Sequence, residues 1–191
     1  KGDSIESIKT THDLLRSSPV SIGNYTLYPA KFWVTPQEKL TIAFANIRLE
    51  LQEQLKFLKK QNKLLEAQRL EQRTLYDLEM IEESGYCHGI ENYSRHFEFR
   101  EPGAPPFTLL DYFGRDFAIF IDESHLTLPQ LRAMSVQDKV RKQSLITYGF
   151  RLPSAIDNRP LTFSEFFKKA EKLVYVSATP REYETDLAMQ Q

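Results

Sequence analysis

A single cysteine, Cys87, stands among 191 residues. One thiol cannot build a disulfide framework, and it points to a reducing, cytoplasmic setting. Net charge is equally scarce, with 25 Lys+Arg against 26 Asp+Glu for a formal value of -1. No global excess draws the chain to nucleic acid, so any such binding has to come from local placement. No apolar run approaches the ~20 residues of a membrane-spanning helix, and no signal-peptide pattern opens the chain. No glycine begins a G-x-x-x-x-G-K-[ST] loop, so these residues hold no phosphate cradle of that kind. The chain starts at Lys1 in mid-pattern, which reads as a piece of a longer polypeptide.

What is present suffices for a core: 41% of the residues are hydrophobic, in a length that fits one or two domains. Residues 1–35 read as short β segments, with Ile5, Ile8, Tyr25, Leu27 and Val34 set among polar residues, Pro and Gly. They are too few to fold alone and read as completing a sheet whose other strands lie upstream of Lys1; a disordered leader is the alternative. At Thr35-Pro36 the character changes. A hydroxyl cap, a proline at the first helical position and Glu38 in the first turn predict a helix start. Leu40, Phe44, Ile47, Leu51, Leu55 and Leu58 then recur in steps of three and four, which places them on one helical stripe.

A polar stretch from Lys59 to Lys63 interrupts that stripe, and a second helix is predicted over about 63–83, stopped at Gly85. The pair reads as an antiparallel hairpin packed on a larger body. Arg48, Arg69 and Arg73 on it are candidates for phosphate contact, although most charges on such helices are simply solvated. Residues 101–116, rich in Pro and Gly, read as loops around the apolar segment 107–113.

The sharpest chemistry follows. Phe117-Ala118-Ile119-Phe120-Ile121 reads as a strand buried on both faces of a parallel sheet, and it runs straight into Asp122-Glu123-Ser124-His125. A strand ending in two acids is the Walker B arrangement of nucleotide-driven motors. There the first acid holds the Mg²⁺ of a nucleotide and the second orients the attacking water. About fifty residues on, Lys172-Leu173-Val174-Tyr175-Val176 reads as another strand, closed by Ser177-Ala178-Thr179-Pro180. A Ser-Ala-Thr segment after a core strand is the coupling motif of superfamily 1 and 2 helicases, and its hydroxyls are expected to contact the acids. Without the cradle and its lysine, this chain is expected to hold part of an ATPase site and to turn over no ATP.

Cys87, His88 and His96 invite a metal reading, but a fourth ligand and a second pair at zinc-like spacing are missing. Cys87 is expected to pack as a small hydrophobe. Tyr86, Tyr93 and Phe97 read as core or interface aromatics ahead of base-stacking ones.

The long stretch from Asn62 to Thr74 resembles the UvrB family of bacterial nucleotide-excision repair. So do Gly85-Tyr86-Cys87, residues 89–96, Asp122–His125, residues 148–155, Asp157–Leu161 and Ser177–Pro180. The likeness runs from about Tyr28 to Glu184 in one register. It implies an α/β fold: part of a RecA-like P-loop helicase motor domain, with a helical hairpin insertion and the β tail of an accessory domain. Residues 1–30 would be that tail, 31–113 the helical insertion beside a DNA channel, and 114–191 part of the first motor domain.

By the same resemblance, the chain implies a damage-verifying, ATP-dependent DNA-binding subunit that acts on damaged double-stranded DNA with UvrA and UvrC. ATP with Mg²⁺ would be its cofactor in the complete protein. Asp122 and Glu123 correspond to the Mg²⁺-holding and water-activating acids, and His125, Ser177 and Thr179 to the nucleotide-coupling set. Arg73, Arg151 and Glu91 correspond to residues at the DNA channel. Guanidinium groups suit that role because they grip phosphate oxygens whatever the base. For the arginines, a structural ion pair is the competing reading.

Departures from the family pattern fall at Lys31–Trp33, His88, Met134–Lys139 and Arg181, and a typical turn near 10–18 is missing. Two further readings stay open: a non-enzymatic interaction module built on the helical hairpin, and a stand-alone helicase accessory fold.

Overall fold

In a computed structural model of the chain, residues 5–11, 18–27, 36–114 and 116–188 are described. The chain divides into two units, residues 1–32 and 33–191. In the first, β1 (Ile8–Thr10) and β2 (Val20–Ile22) pair antiparallel, with Ile8 opposite Ile22 and Thr10 opposite Val20. Three residues a side bury little, and Val20 stays mostly exposed. Val34, the segment Lys31–Trp33 and most of the span from Thr10 to Ser18 lie outside the described residues.

The second unit opens with α1 (Gln37–Lys60) and α2 (Leu64–Ser84). Pro36 is the cap residue, one position earlier than the first helical place expected of it, and Thr35 lies outside the described residues. The predicted stripe is the packed one. Phe44, Ile47, Leu51, Leu55 and Leu58 are buried, with Leu40 packed against them. Gln61 to Lys63 turn the chain through Asn62 at φ 60, and the Lys63 N–H returns to the Leu58 carbonyl at 2.9 Å. Arg48, midway along α1, meets Glu82 near the end of α2 at 2.8 Å, and with the short turn between them the helices run antiparallel. Gly85 (φ 74) ends α2 in the left-handed conformation that only glycine adopts without cost.

The hairpin core continues into the chain that follows. Cys87, Ile90, Tyr93 and Phe97 join it, the last from the single turn α3 (Ser94–Phe97), and so does Leu152 from far downstream. A buried charge network lies alongside. Glu50 of α1 sits 2.6 Å from the His96 ring and accepts the Ser154 N–H at 2.7 Å, while Arg95 pairs with Asp157 at 2.9 Å. It ties the hairpin to a 3-10 turn at Pro153–Asp157.

The segment expected to be loop contains one 3-10 turn, Leu109–Tyr112, whose flanking Phe107 and Phe113 stay exposed. Then β3 (Ala118–Ile121) pairs parallel with β4 (Lys172–Tyr175), Ile121 opposite Tyr175. The crossover runs through α4 (Ser124–Thr147) and α5 (Phe163–Lys169), and α6 (Glu182–Leu187) closes the described chain. The expectation of a strand buried on both faces does not hold. Ile121 is 4% exposed but Phe120 is 70% exposed. Among the described residues this sheet has two strands, and the pleat face that carries Phe120 is left open. The architecture is thus a mixed helix and sheet fold dominated by the helical hairpin.

Candidate functional site

β3 delivers Asp122 and Glu123 to the start of α4. Glu123 caps that helix at φ 44, a left-handed backbone that a non-glycine residue holds only at a cost in strain. Asp122 Oδ1 accepts the Glu123 N–H at 2.9 Å, and Thr127 Oγ1 donates to the Asp122 carbonyl at 2.8 Å. Both carboxylates point to solvent. Exposed, adjacent hard-oxygen donors of this kind fit a divalent cation such as Mg²⁺ held largely through water.

The two strand-terminal motifs are stitched together by backbone. Val176 N–H reaches the Ile121 carbonyl at 2.9 Å and Ser124 N–H reaches the Val176 carbonyl at 3.0 Å, which extends the ladder past the strand ends. This register places His125 Nδ1 at 2.7 Å from Ser177 Oγ and at 3.4 Å from Glu123 Oε2. Ser177 Oγ also accepts the Thr179 N–H at 3.1 Å. The direct hydroxyl-to-acid contact expected from the sequence is replaced by a path through His125.

Arg73, Glu91 and Arg151 gather at a second place, around the turn that follows α2. Arg73 donates from Nε to Asp77 at 3.0 Å and from Nη2 to the His88 carbonyl at 2.7 Å. Asp77 is buried and also accepts from Tyr93 Oη at 2.9 Å. The Asp77 hydrogen bond raises the Arg73 guanidinium above its ordinary value. Arg73 is therefore anchored as an ion pair, with part of its side chain open to solvent. Arg151 lies against Gly89, where an added Cβ would sit 3.0 Å from its Nη2, and its one described hydrogen bond goes to the Phe150 carbonyl. Glu91 is half-buried in the same turn, 3.5 Å from Asn92 Nδ2.

Sequence spacing offers a signal for Asp77, four residues after Arg73 on one helix, but none for Tyr93. Arg48 and Arg69 are also committed, Arg48 to Glu82 and Arg69 to the Tyr148 carbonyl at 2.7 Å. Tyr93 and Phe97 are core, whereas Tyr86 is 45% exposed. Cys87 is buried, and burial first, then the Asp77 charge, pushes its thiol up to about 12. No grouping of three or more His, Cys, Asp or Glu suited to a metal ion occurs among the described residues. His96 instead faces Glu50. No helix among the described residues is long and apolar enough to cross a membrane.

A helical hairpin bonded to a crossover whose strands end in two acids and a Ser-Ala-Thr segment defines a mixed helix and sheet segment. The UvrB third helical domain family matches residues 38–99. UvrABC system protein B of Thermotoga petrophila is 54% identical over 189 residues, 99% of this chain and 28% of the relative. That of Bacillus caldotenax is 56% identical over 185 residues, 97% of this chain and 28% of the relative. That of Mycoplasma mycoides is 54% identical over 189 residues, again 99% and 28%. The chain belongs to the UvrB family, matching about 28% of the length of these relatives. The likeness is wider than the span from Tyr28 to Glu184 on which the motifs fall.

Proposed function

We propose that this chain contributes a UvrB-type segment to a damage-verifying, ATP-dependent DNA-binding subunit of nucleotide-excision repair. The observation that supports it best is the path Glu123–His125–Ser177, which joins the ends of two parallel strands in a chain of this family. In this reading residues 114–191 are part of a RecA-like motor domain, 31–113 an insertion beside the DNA, and 1–30 the tail of an accessory domain. Damaged double-stranded DNA, UvrA and UvrC are its partners, and its setting is cytoplasmic.

Bound ATP with Mg²⁺ supplies the phosphoryl group and the charge that steadies its transfer. Asp122, at the strand end, would hold the cation when the nucleotide is bound. Glu123, fixed by its strained cap position, orients and polarises a water molecule. His125 senses the position of Glu123 and passes it to Ser177, whose oxygen fixes the Thr179 backbone. Arg151, Arg73 and Glu91 line the nucleic-acid side, Arg151 with the freer of the two guanidinium groups. The chain alone turns over no ATP, because its residues include no phosphate cradle.

The test replaces the matching segment of a full-length UvrABC system protein B with this chain. ATP turnover by the chimera should fall at least about a hundred-fold on Glu123→Gln while nucleotide binding persists. Turnover that ignores the substitution would end the proposal.

A second reading has one observation in its favour: Ile42, Leu49 and Phe57 stand exposed on α1, away from its buried stripe. It makes the hairpin a protein-binding element. Tight binding of UvrA by the chain, with chimera DNA binding untouched by Arg73→Ala and Arg151→Ala, would favour it.

A further inference from the structure

A cleft of about 500 Å³ opens between the first half of α4 and α6, outside the residues assigned above apart from His125 at its edge. Its floor is apolar, built from Leu128, Pro129, Ala133 and Val136. Two guanidinium groups stand at it, Arg132 and Arg181, both on exposed residues. Arg48, Arg73, Arg95, Arg100, Arg141 and Arg159 each pair with a carboxylate. Among the described residues Arg132 and Arg181 have no such partner. Arg132 is instead held between two rings, 4.9 Å from the Phe163 centroid and 4.8 Å from that of Tyr183. Cation–π contact fixes the guanidinium plane while leaving its N–H edge free to donate.

The cleft also has a buried acceptor. Glu184 is 3% exposed and lines it. Its Oε2 accepts the Arg181 N–H at 2.8 Å, but Oε1 has no hydrogen-bond partner. A buried carboxylate oxygen left unpaired is costly, which marks it as an acceptor awaiting a donor. The other acids of α6, Glu182 and Asp186, do not line the cleft.

These features together specify an occupant with a flat apolar body, a hydrogen-bond donor and an anionic group. We infer that the cleft between α4 and α6 is a subsite for one nucleotide of a single-stranded nucleic acid. The base lies on the apolar floor beside Tyr183, an amino group donates to Glu184, and Arg132 and Arg181 hold the flanking phosphates. The volume suits a single nucleotide, and the two unpaired guanidinium groups favour phosphate over an apolar peptide. The inference rests on the nucleic-acid-binding reading above and adds a contact region to it.

The test uses the 191-residue chain with a fluorescein-labelled twelve-nucleotide oligo-dC carrying one 5-iodo-deoxycytidine, alongside an abasic oligomer of equal length. Cross-linking should map to Tyr183. Arg132→Ala and Arg181→Ala should each weaken oligo-dC binding about five-fold and reduce the salt slope by about one. Glu184→Gln should weaken oligo-dC and leave the abasic oligomer unchanged. If Arg132→Ala loses its helical circular dichroism, Arg181→Ala, at an exposed position, carries the test. Absence of binding, or binding with the cross-link elsewhere and both arginine variants unaffected, overturns the inference. Neither touches the proposed function, which fails only if the chimera ignores Glu123→Gln.

Discussion

Nδ1 of His125 and Oγ of Ser177 lie 2.7 Å apart across 52 residues of sequence. The bond ties the first turn of α4 to the chain leaving β4, so two motifs separated by a whole crossover answer to each other. A part-buried side-chain hydrogen bond of this kind contributes about 1 kcal/mol net. Ser177→Ala is accordingly expected to lower the unfolding free energy by that amount, read as a fall in the urea midpoint at an unchanged m-value. An unaltered midpoint would mean that the pair carries no coupling.

Gly149 follows α4 at φ 70, and a Cβ there would stand 2.3 Å from the Glu66 carbonyl oxygen. Backbone cannot yield as a flexible side chain does. Gly149→Ala adds the left-handed strain of about 1–2 kcal/mol to the cost of separating α2 from the chain after α4. The total loss is expected to exceed about 2 kcal/mol, read by thermal denaturation. A loss below that would show that the two segments part freely.

Among the described residues four carboxyls are lowered on folding, Glu50, Asp111, Asp138 and Glu165, and Glu50 and Glu165 show how they set the acid limit of stability. At Glu50, burial pushes the carboxyl up, but hydrogen bonds from His96 and Ser154 and the His96 charge outweigh it and leave the group below its ordinary value. At Glu165, the Arg159 hydrogen bond leads, burial opposes it, and the Thr162 N–H adds to the lowering, which reaches about 2. A carboxyl lowered on folding stabilises the fold above its unfolded value, and that contribution disappears as pH falls through the folded one. The chain should hold its stability down to about pH 4.5, the ordinary value of both groups, and lose it towards pH 2. Glu165→Gln should flatten this decline in urea midpoints taken across the range, and an acid limb of the same slope would refute the assignment.

Removing one member of the buried network has a separate cost. Glu50→Gln leaves Arg95 and His96 facing a neutral amide, and is expected to cost about 2–3 kcal/mol at pH 7. Chemical denaturation checks it, and a change under half a kilocalorie would show that Asp157 alone satisfies Arg95.

Cys87 offers a readout of the hairpin core. With its thiol buried and pushed up to about 12, it should resist a thiol reagent at pH 8 until the protein unfolds. Labelling within seconds under native conditions would mean that the turn after α2 opens readily.

The amphipathic stripe from Leu40 to Leu58, the stop at Gly85 and the two strand-to-motif transitions were all legible in order along the chain, because periodicity and glycine act locally. The exposure of Phe120 was not: an apolar run looks the same whether one layer covers it or two. Nor were the partners of the arginines. Arg73 reads equally well as a phosphate contact or an ion pair until Tyr93 and the His88 carbonyl arrive from the following turn. Arg132 carried no signal at all, since its two rings come from α5 and α6.

By itself, then, the sequence determined the helical hairpin, the acids at the strand end and membership of the UvrB family, all features written in short-range spacing and side-chain type. Only the tertiary structure decided that His125 stands between Glu123 and Ser177, that Arg73 is anchored to a buried acid, and that Arg132 and Glu184 share a cleft. Each of those depends on the register of β3 with β4 and the path of the crossover between them, and contacts between residues far apart in sequence exist only once packing has fixed that register.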